Sequence, residues 1–196
     1  MTSHTLRAAS ERQGARSAMI VLTDLHALCS DPSRTVAACA EAMQELAQHD
    51  VPVILVSPSS AVDIVDLQAQ LGICHPFICE GGRALHVPSG YFEDLLAPCV
   101  PSEWNVIEFG GRGEDAALAR AVRLLALLYW TQRDEGIVVG ITDREPSILA
   151  ESDVPIILRN PELDQRALES AASGAYLTSS TGVAGWVEAI AGVPRA

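Results

Sequence analysis

Short apolar runs, each about as long as one strand, alternate along this chain with stretches of helical periodicity, and that alternation leaves few folds open. The runs are residues 19–23, 51–56, 77–79, 136–141 and 154–158, rich in Val and Ile and each stopped by Asp, Ser, Glu, Thr or Arg. A strand that is apolar on both sides has to be covered on both faces, which is the condition of a mainly parallel sheet with crossover helices. The helical stretches supply that cover. Asp31 or Ser33 can cap a helix over residues 36–47, where Val36, Cys39, Ala40, Met43 and Leu46 recur at helical spacing. Ser59 and Ser60 open a second helix that runs to Leu71 and stops at Gly72. Residues 114–130 form the strongest helical pattern, and further helices are expected over 147–149, 163–172 and 185–190. Three more short strands are expected at 84–87, 106–109 and 175–178, the first two separated by a loop carrying Pro88, Pro98 and Pro101. The fold class predicted is α/β, a Rossmann-like parallel sheet with helices on both faces.

At 196 residues, 48% of them hydrophobic, the chain can bury a core without staples and is too apolar to be disordered over most of its length. A formal net charge of −12 repels the nucleic-acid backbone and anionic membrane surfaces, so neither is expected as a partner. The apolar runs are broken by Asp, Pro or Gly well short of a bilayer's thickness. Five cysteines, odd in number and without a C-x-x-C pair, read as reduced thiols of a cytoplasmic protein; Cys74-His75 with Cys79 matches no zinc spacing. Residues 1–17, with Arg7, Arg12 and Arg16 among Ser and Ala, read as a flexible lead-in, the alternative being an organellar transit peptide. No linker divides residues 18–196 into two full domains, so one domain is expected.

In an open parallel sheet the ligand lies beyond the carboxyl ends of the strands, beside the switch in strand order. Three groups fall there: Thr23-Asp24-Leu25-His26, Ser57-Pro58-Ser59-Ser60, and Gly140-Ile141-Thr142-Asp143-Arg144-Glu145. With Val51-Pro52-Val53, His75-Pro76-Phe77-Ile78, Glu80-Gly81-Gly82-Arg83-Ala84, the segment 150–160 and Gly182-Val183-Ala184-Gly185-Trp186, the chain resembles the haloacid dehalogenase superfamily, in particular its mannosyl-3-phosphoglycerate phosphatase branch. That resemblance implies a haloacid dehalogenase-like core and a phosphatase-like site. Asp24 would be the covalent phosphoryl acceptor and His26 would stand where the second, proton-donating aspartate belongs. Ser57 would hold a phosphate oxygen; Arg120 and Arg144 are the candidate phosphate cations where the family uses a lysine. A magnesium ion would rest on Asp24, Asp143 and Glu145.

The departures from that pattern are as informative as the matches. Ile141 replaces the first acid of the metal loop and cannot ligate a hard cation, so Mg²⁺ is expected to bind weakly. Arg144 sits where the family has an asparagine; it either takes over the metal's electrostatic role or pairs with Asp24 or Glu145. The branch's large cap domain has no room here, leaving a cap remnant at about 83–114 whose Tyr91, Phe92 and Trp104 either pack onto the core or form a binding surface. On the residues alone, Asp24 can equally be a strand-end carboxylate bonded to backbone N–H groups, and Ser57 an ordinary helix cap. The reading that follows is a degenerate, non-catalytic or very weakly active relative that acts by binding or regulation. It would take a small phosphorylated ligand and associate as a homodimer or with another protein. The alternative is a Mg²⁺-dependent phosphomonoester hydrolase acting on a sugar phosphate such as mannosyl-3-phosphoglycerate.

Overall fold

The computed structural model describes residues 18–24, 32–58, 60–92, 103–110, 114–130 and 135–193. Its strands are β1 (Met19–Asp24), β2 (Val53–Val56), β3 (Phe77–Cys79), β4 (Ala84–Pro88), β5 (Trp104–Glu108), β6 (Ile137–Thr142), β7 (Val154–Arg159) and β8 (Tyr176–Thr181). Helices are α1 (Pro32–Gln48), α2 (Ala61–Leu71), α3 (Glu114–Tyr129), α4 (Pro146–Ala150), α5 (Arg166–Ala171) and α6 (Gly182–Gly192). Together the strands make one sheet in the order β5-β4-β3-β2-β1-β6-β7-β8. From β3 to β8 the neighbours are parallel; β4 and β5 join antiparallel. All five strands expected to form the parallel core are in it, side by side.

β1 lies near the centre of the sheet, and it is longer than the other wholly buried strands, β2 and β3. All six of its residues are buried, and it pairs with β2 on one side and β6 on the other. The period-2 alternation of strand side chains divides its apolar residues between two cores. Met19 and Val21 join Cys39, Met43, Leu46, Val139, Ile156, Trp186 and Ile190 on the face covered by α1 and α6. Ile20 and Leu22 meet Leu85, Leu118, Val122, Leu125 and Tyr129 on the face covered by α3. Trp186 is fully buried, and its indole N–H donates to Thr23 Oγ1 at 3.0 Å, which settles the polar atoms of both side chains in an apolar interior.

The described part of the stretch expected as a cap remnant contains two of the short strands read from the sequence. β4 and β5 form an antiparallel pair that extends the core sheet, and the aromatics there turn inward. Trp104 packs edge-on against Phe77, their ring centroids 4.9 Å apart, and Phe92 meets Tyr129 at 5.1 Å. The Tyr91 hydroxyl stands 2.8 Å from both His75 Nδ1 and the Tyr129 hydroxyl. Burial of the His75 ring lowers its pKa to about 4, so the ring is neutral in this network at ordinary pH. His75, Tyr91 and Tyr129 are amphipathic, and the Tyr91 ring packs against the other two while each polar tip finds a partner.

Glycine decides how two elements meet. Gly72 caps α2 in the left-handed region at φ 67°, as expected from the sequence. Gly82, at φ 88°, lies so close to α3 that a Cβ there would stand 2.3 Å from the Leu118 backbone nitrogen. Gly82→Ala should therefore destabilise the fold by about 2 kcal/mol or more, through both backbone strain and the clash, measurable by urea unfolding.

At the other end of the sheet, Glu188 of α6 ties down the polar end of β8. Its carboxylate accepts from the backbone N–H groups of Ser179 and Ser180 and from the Tyr176 hydroxyl. Those bonds, the Ser179 N–H first, hold its pKa down at about 2. Since the folded value lies below the unfolded one of about 4.3, this contribution is present above that value and is lost as pH falls through it. Glu188→Gln should flatten the stability loss of the protein between about pH 4 and pH 2, a change that denaturant unfolding at a series of pH values would register.

Candidate functional site

The carboxyl ends of β1, β2 and β6 lie side by side, so the topology alone gathers Asp24, Ser57 and Thr142 at one edge. Between them is a cavity of about 80 Å³ lined by Asp24, Ser57, Gly81, Arg144, Glu145 and Ser147, with Leu118 and Ile148 as apolar walls. Four of the residues read as site residues from the sequence are thus brought together. Arg120 is not: it lies exposed on α3, where its Nη2 donates to the Gly110 carbonyl at 2.9 Å. His26 falls outside the described residues.

Asp24 is only 3% exposed. One carboxylate oxygen accepts the Thr142 hydroxyl at 3.3 Å and faces Arg144 Nε at 4.0 Å. Ser57, also buried, is placed by its backbone: its N–H donates to Ile78 and its carbonyl accepts from the Gly81 N–H. The Glu80-Gly81-Gly82 turn that follows β3 holds three successive residues at positive φ (54°, 63° and 88°). Two glycines accept that conformation freely, while at Glu80 it is a strain of the kind that clusters at ligand sites.

Thr142 organises the loop after β6. Fully buried, it gives its hydroxyl proton to Asp24 and accepts with the same oxygen from the backbone N–H groups of Arg144, at 3.1 Å, and Glu145, at 2.9 Å. This is a threonine capping the turn into α4, with Pro146 in the first helical turn. Glu145 in turn accepts the Ser147 hydroxyl.

Asp143 was expected to face a metal. Instead its oxygens are engaged within the protein: Oδ1 accepts Arg144 Nε at 3.0 Å, while Oδ2 accepts Asn160 Nδ2 at 2.7 Å and Arg144 Nη2 at 3.4 Å. Gln165 Nε2 also holds the Asp143 carbonyl, at 3.1 Å. The hydrogen bond that Arg144 donates to Asp143, with the charges of Asp143 and Asp24, raises the pKa of Arg144 against the opposing effect of burial. Ile141, one residue before Thr142, points away from the cleft and is fully buried in the core cluster of Trp186. Among the described residues, no three Asp, Glu, His or Cys groups converge as a metal would require.

Thr142, Asn160 and Gln165 were not singled out from the sequence. A hydroxyl residue between an apolar strand and Asp-Arg-Glu-Pro is a usable signal for the first. Asn160 and Gln165 reach Asp143 across 17 and 22 residues, and nothing local marks them.

No family model and no curated protein matches this chain. Solved structures do resemble it. The crystal structure of Thermoplasma acidophilum 0175 superposes with a TM-score of 0.58 at 14% identity, covering 87% of this chain and 95% of the other. That of yhjK from Bacillus subtilis, a haloacid dehalogenase-like hydrolase protein, gives 0.57 at 10% identity, covering 96% and 99%. Likeness at such identities establishes the fold alone: an α/β, Rossmann-like sheet like that of these two structures.

Thr142→Val keeps the shape of the side chain but leaves two backbone N–H groups without their acceptor. Because those two groups are only partly buried, it should cost about 1 kcal/mol in denaturant unfolding and leave Arg144 less firmly placed.

Proposed function

We propose that this chain is a phosphatase-like protein that binds a small phosphorylated ligand in the cleft between Asp24, Ser57 and Arg144, with no turnover or very slow turnover, and that it acts through binding or regulation. The observation that carries this reading is the commitment of the metal loop to structure. Ile141 belongs to the core and Asp143 is an internal partner of Arg144 and Asn160. Phosphoryl transfer depends almost wholly on positioning and on stabilising charge in the transition state, so withdrawing these groups is costly for rate while a phosphate can still be held.

The cleft keeps what binding needs. Ser57 offers a hydroxyl, Arg144 a fixed positive charge, and the following helix α2 begins just beyond Ser57 with its N-terminal end toward the same strand edge. A second reading rests on Asp24, which still ends the central strand and lines the cleft as a nucleophile would. In that reading the protein is a Mg²⁺-dependent phosphomonoester hydrolase for a sugar phosphate such as mannosyl-3-phosphoglycerate.

Turnover of a panel of sugar phosphates and small phosphomonoesters, with and without Mg²⁺, separates the two. The proposal expects no difference between the protein and its Asp24→Asn variant. Mg²⁺-dependent hydrolysis that disappears in Asp24→Asn would establish the hydrolase reading instead.

A further inference from the structure

Arg144 is held on one side and open on the other. A guanidinium carries five N–H donors in a rigid plane. Nε and one N–H of Nη2 are used on the Asp143 carboxylate, at 3.0 and 3.4 Å, and Asn160 braces that carboxylate from behind at 2.7 Å. Among the described residues no acceptor takes the N–H groups of Nη1, and the side chain lines the cavity while remaining 44% exposed. A cation so fixed, lining a cavity of about 80 Å³ with its Nη1 N–H groups untaken, has the shape that accepts a tetrahedral or planar oxyanion through paired hydrogen bonds.

The same residues do not suit a divalent cation. Ile141 supplies no side-chain oxygen, both carboxylate oxygens of Asp143 already accept hydrogen bonds within the protein, and Arg144 Nε lies 4.0 Å from Asp24, the carboxylate a metal would need most. A small hard ion gives up its waters only for several free acidic oxygens.

We infer that Arg144 is the resident cation of this cleft: the phosphoryl group of the ligand binds directly on its open edge, with Asp143 and Asn160 as positioning residues and without a divalent metal. The inference rests on the proposed binding of a phosphorylated ligand at this site and specifies how that ligand is held. Ser57 faces the same cavity and supplies a hydroxyl to the oxyanion. Among the described lining residues Arg144 is the one cation, and it offsets the carboxylates of Asp24 and of Glu145, which accepts the Ser147 hydroxyl.

Inorganic phosphate is a sufficient probe, titrated calorimetrically into the protein once with EDTA and once with millimolar Mg²⁺. Three variants accompany it. Arg144→Gln removes the cation, the pair Asp143→Asn with Arg144→Gln removes it without leaving a buried carboxylate unpaired, and Arg123→Gln removes an exposed arginine whose partner is Glu151, just past the end of α4. Phosphate should bind with equal affinity in both buffers. Binding should weaken about tenfold or more in both Arg144 variants and stay unchanged in Arg123→Gln. Circular dichroism confirms which variants are folded, and the double variant decides if the single one is not. Binding that needs Mg²⁺, or that survives in a folded Arg144 variant, overturns the inference while leaving a phosphate-binding cleft in place. No phosphate binding in either buffer overturns the proposed ligand class as well.

Discussion

Burying β1 on both faces and along both edges is the constraint from which the rest of this structure follows. A central strand with no exposed side can carry polar groups only where partners are supplied, and β1 carries two, Thr23 and Asp24. The first is met by Trp186 from the last helix, 163 residues away, the second by Thr142 at the end of β6. One bond closes the C-terminal part of the chain over the core; the other fixes the loop that carries Arg144. Fold and site are therefore anchored at adjacent residues of the same strand.

The fold was legible in the sequence because its signal is local. Apolar runs of strand length mark β1, β2, β3, β6 and β7, which lie parallel and side by side in one sheet. Where burial is only partial the signal fades. β8 runs to Thr181, beyond the four residues expected of it, because Ser179 and Ser180 are held by Glu188 and not by an apolar face. Residues 84–92 and 103–110 carry aromatics that look suited to a cap, yet their rings complete the core sheet and pack on Phe77 and Tyr129.

The site was legible only in part, for a physical reason. Which residues stand at strand ends is a matter of topology, so Asp24, Ser57, Arg144 and Glu145 could be named and do meet. What a carboxylate does there depends on which donors reach it. Asp143 became a support for Arg144 because Asn160 and Gln165 approach from the end of β7 and the turn after it. Arg120, chosen for its charge, is directed to Gly110 by the position of its turn on α3.

The contact between Gly82 and Leu118 is made backbone to backbone, with no side chain between that could yield. Gly82 and Gly81 are consecutive in one tight turn, and both Gly81 and Leu118 line the cleft. The helix and the turn are thus geared together: interiors packed to this density transmit displacement in place of absorbing it. A shift of α3 moves the wall of the cleft directly and pulls its glycine floor along. At the far end of the same helix, Tyr129 is tied through Tyr91 to His75. One helix thus carries both a wall of the cleft and an anchor of the aromatic network, so the two belong to a single packed unit.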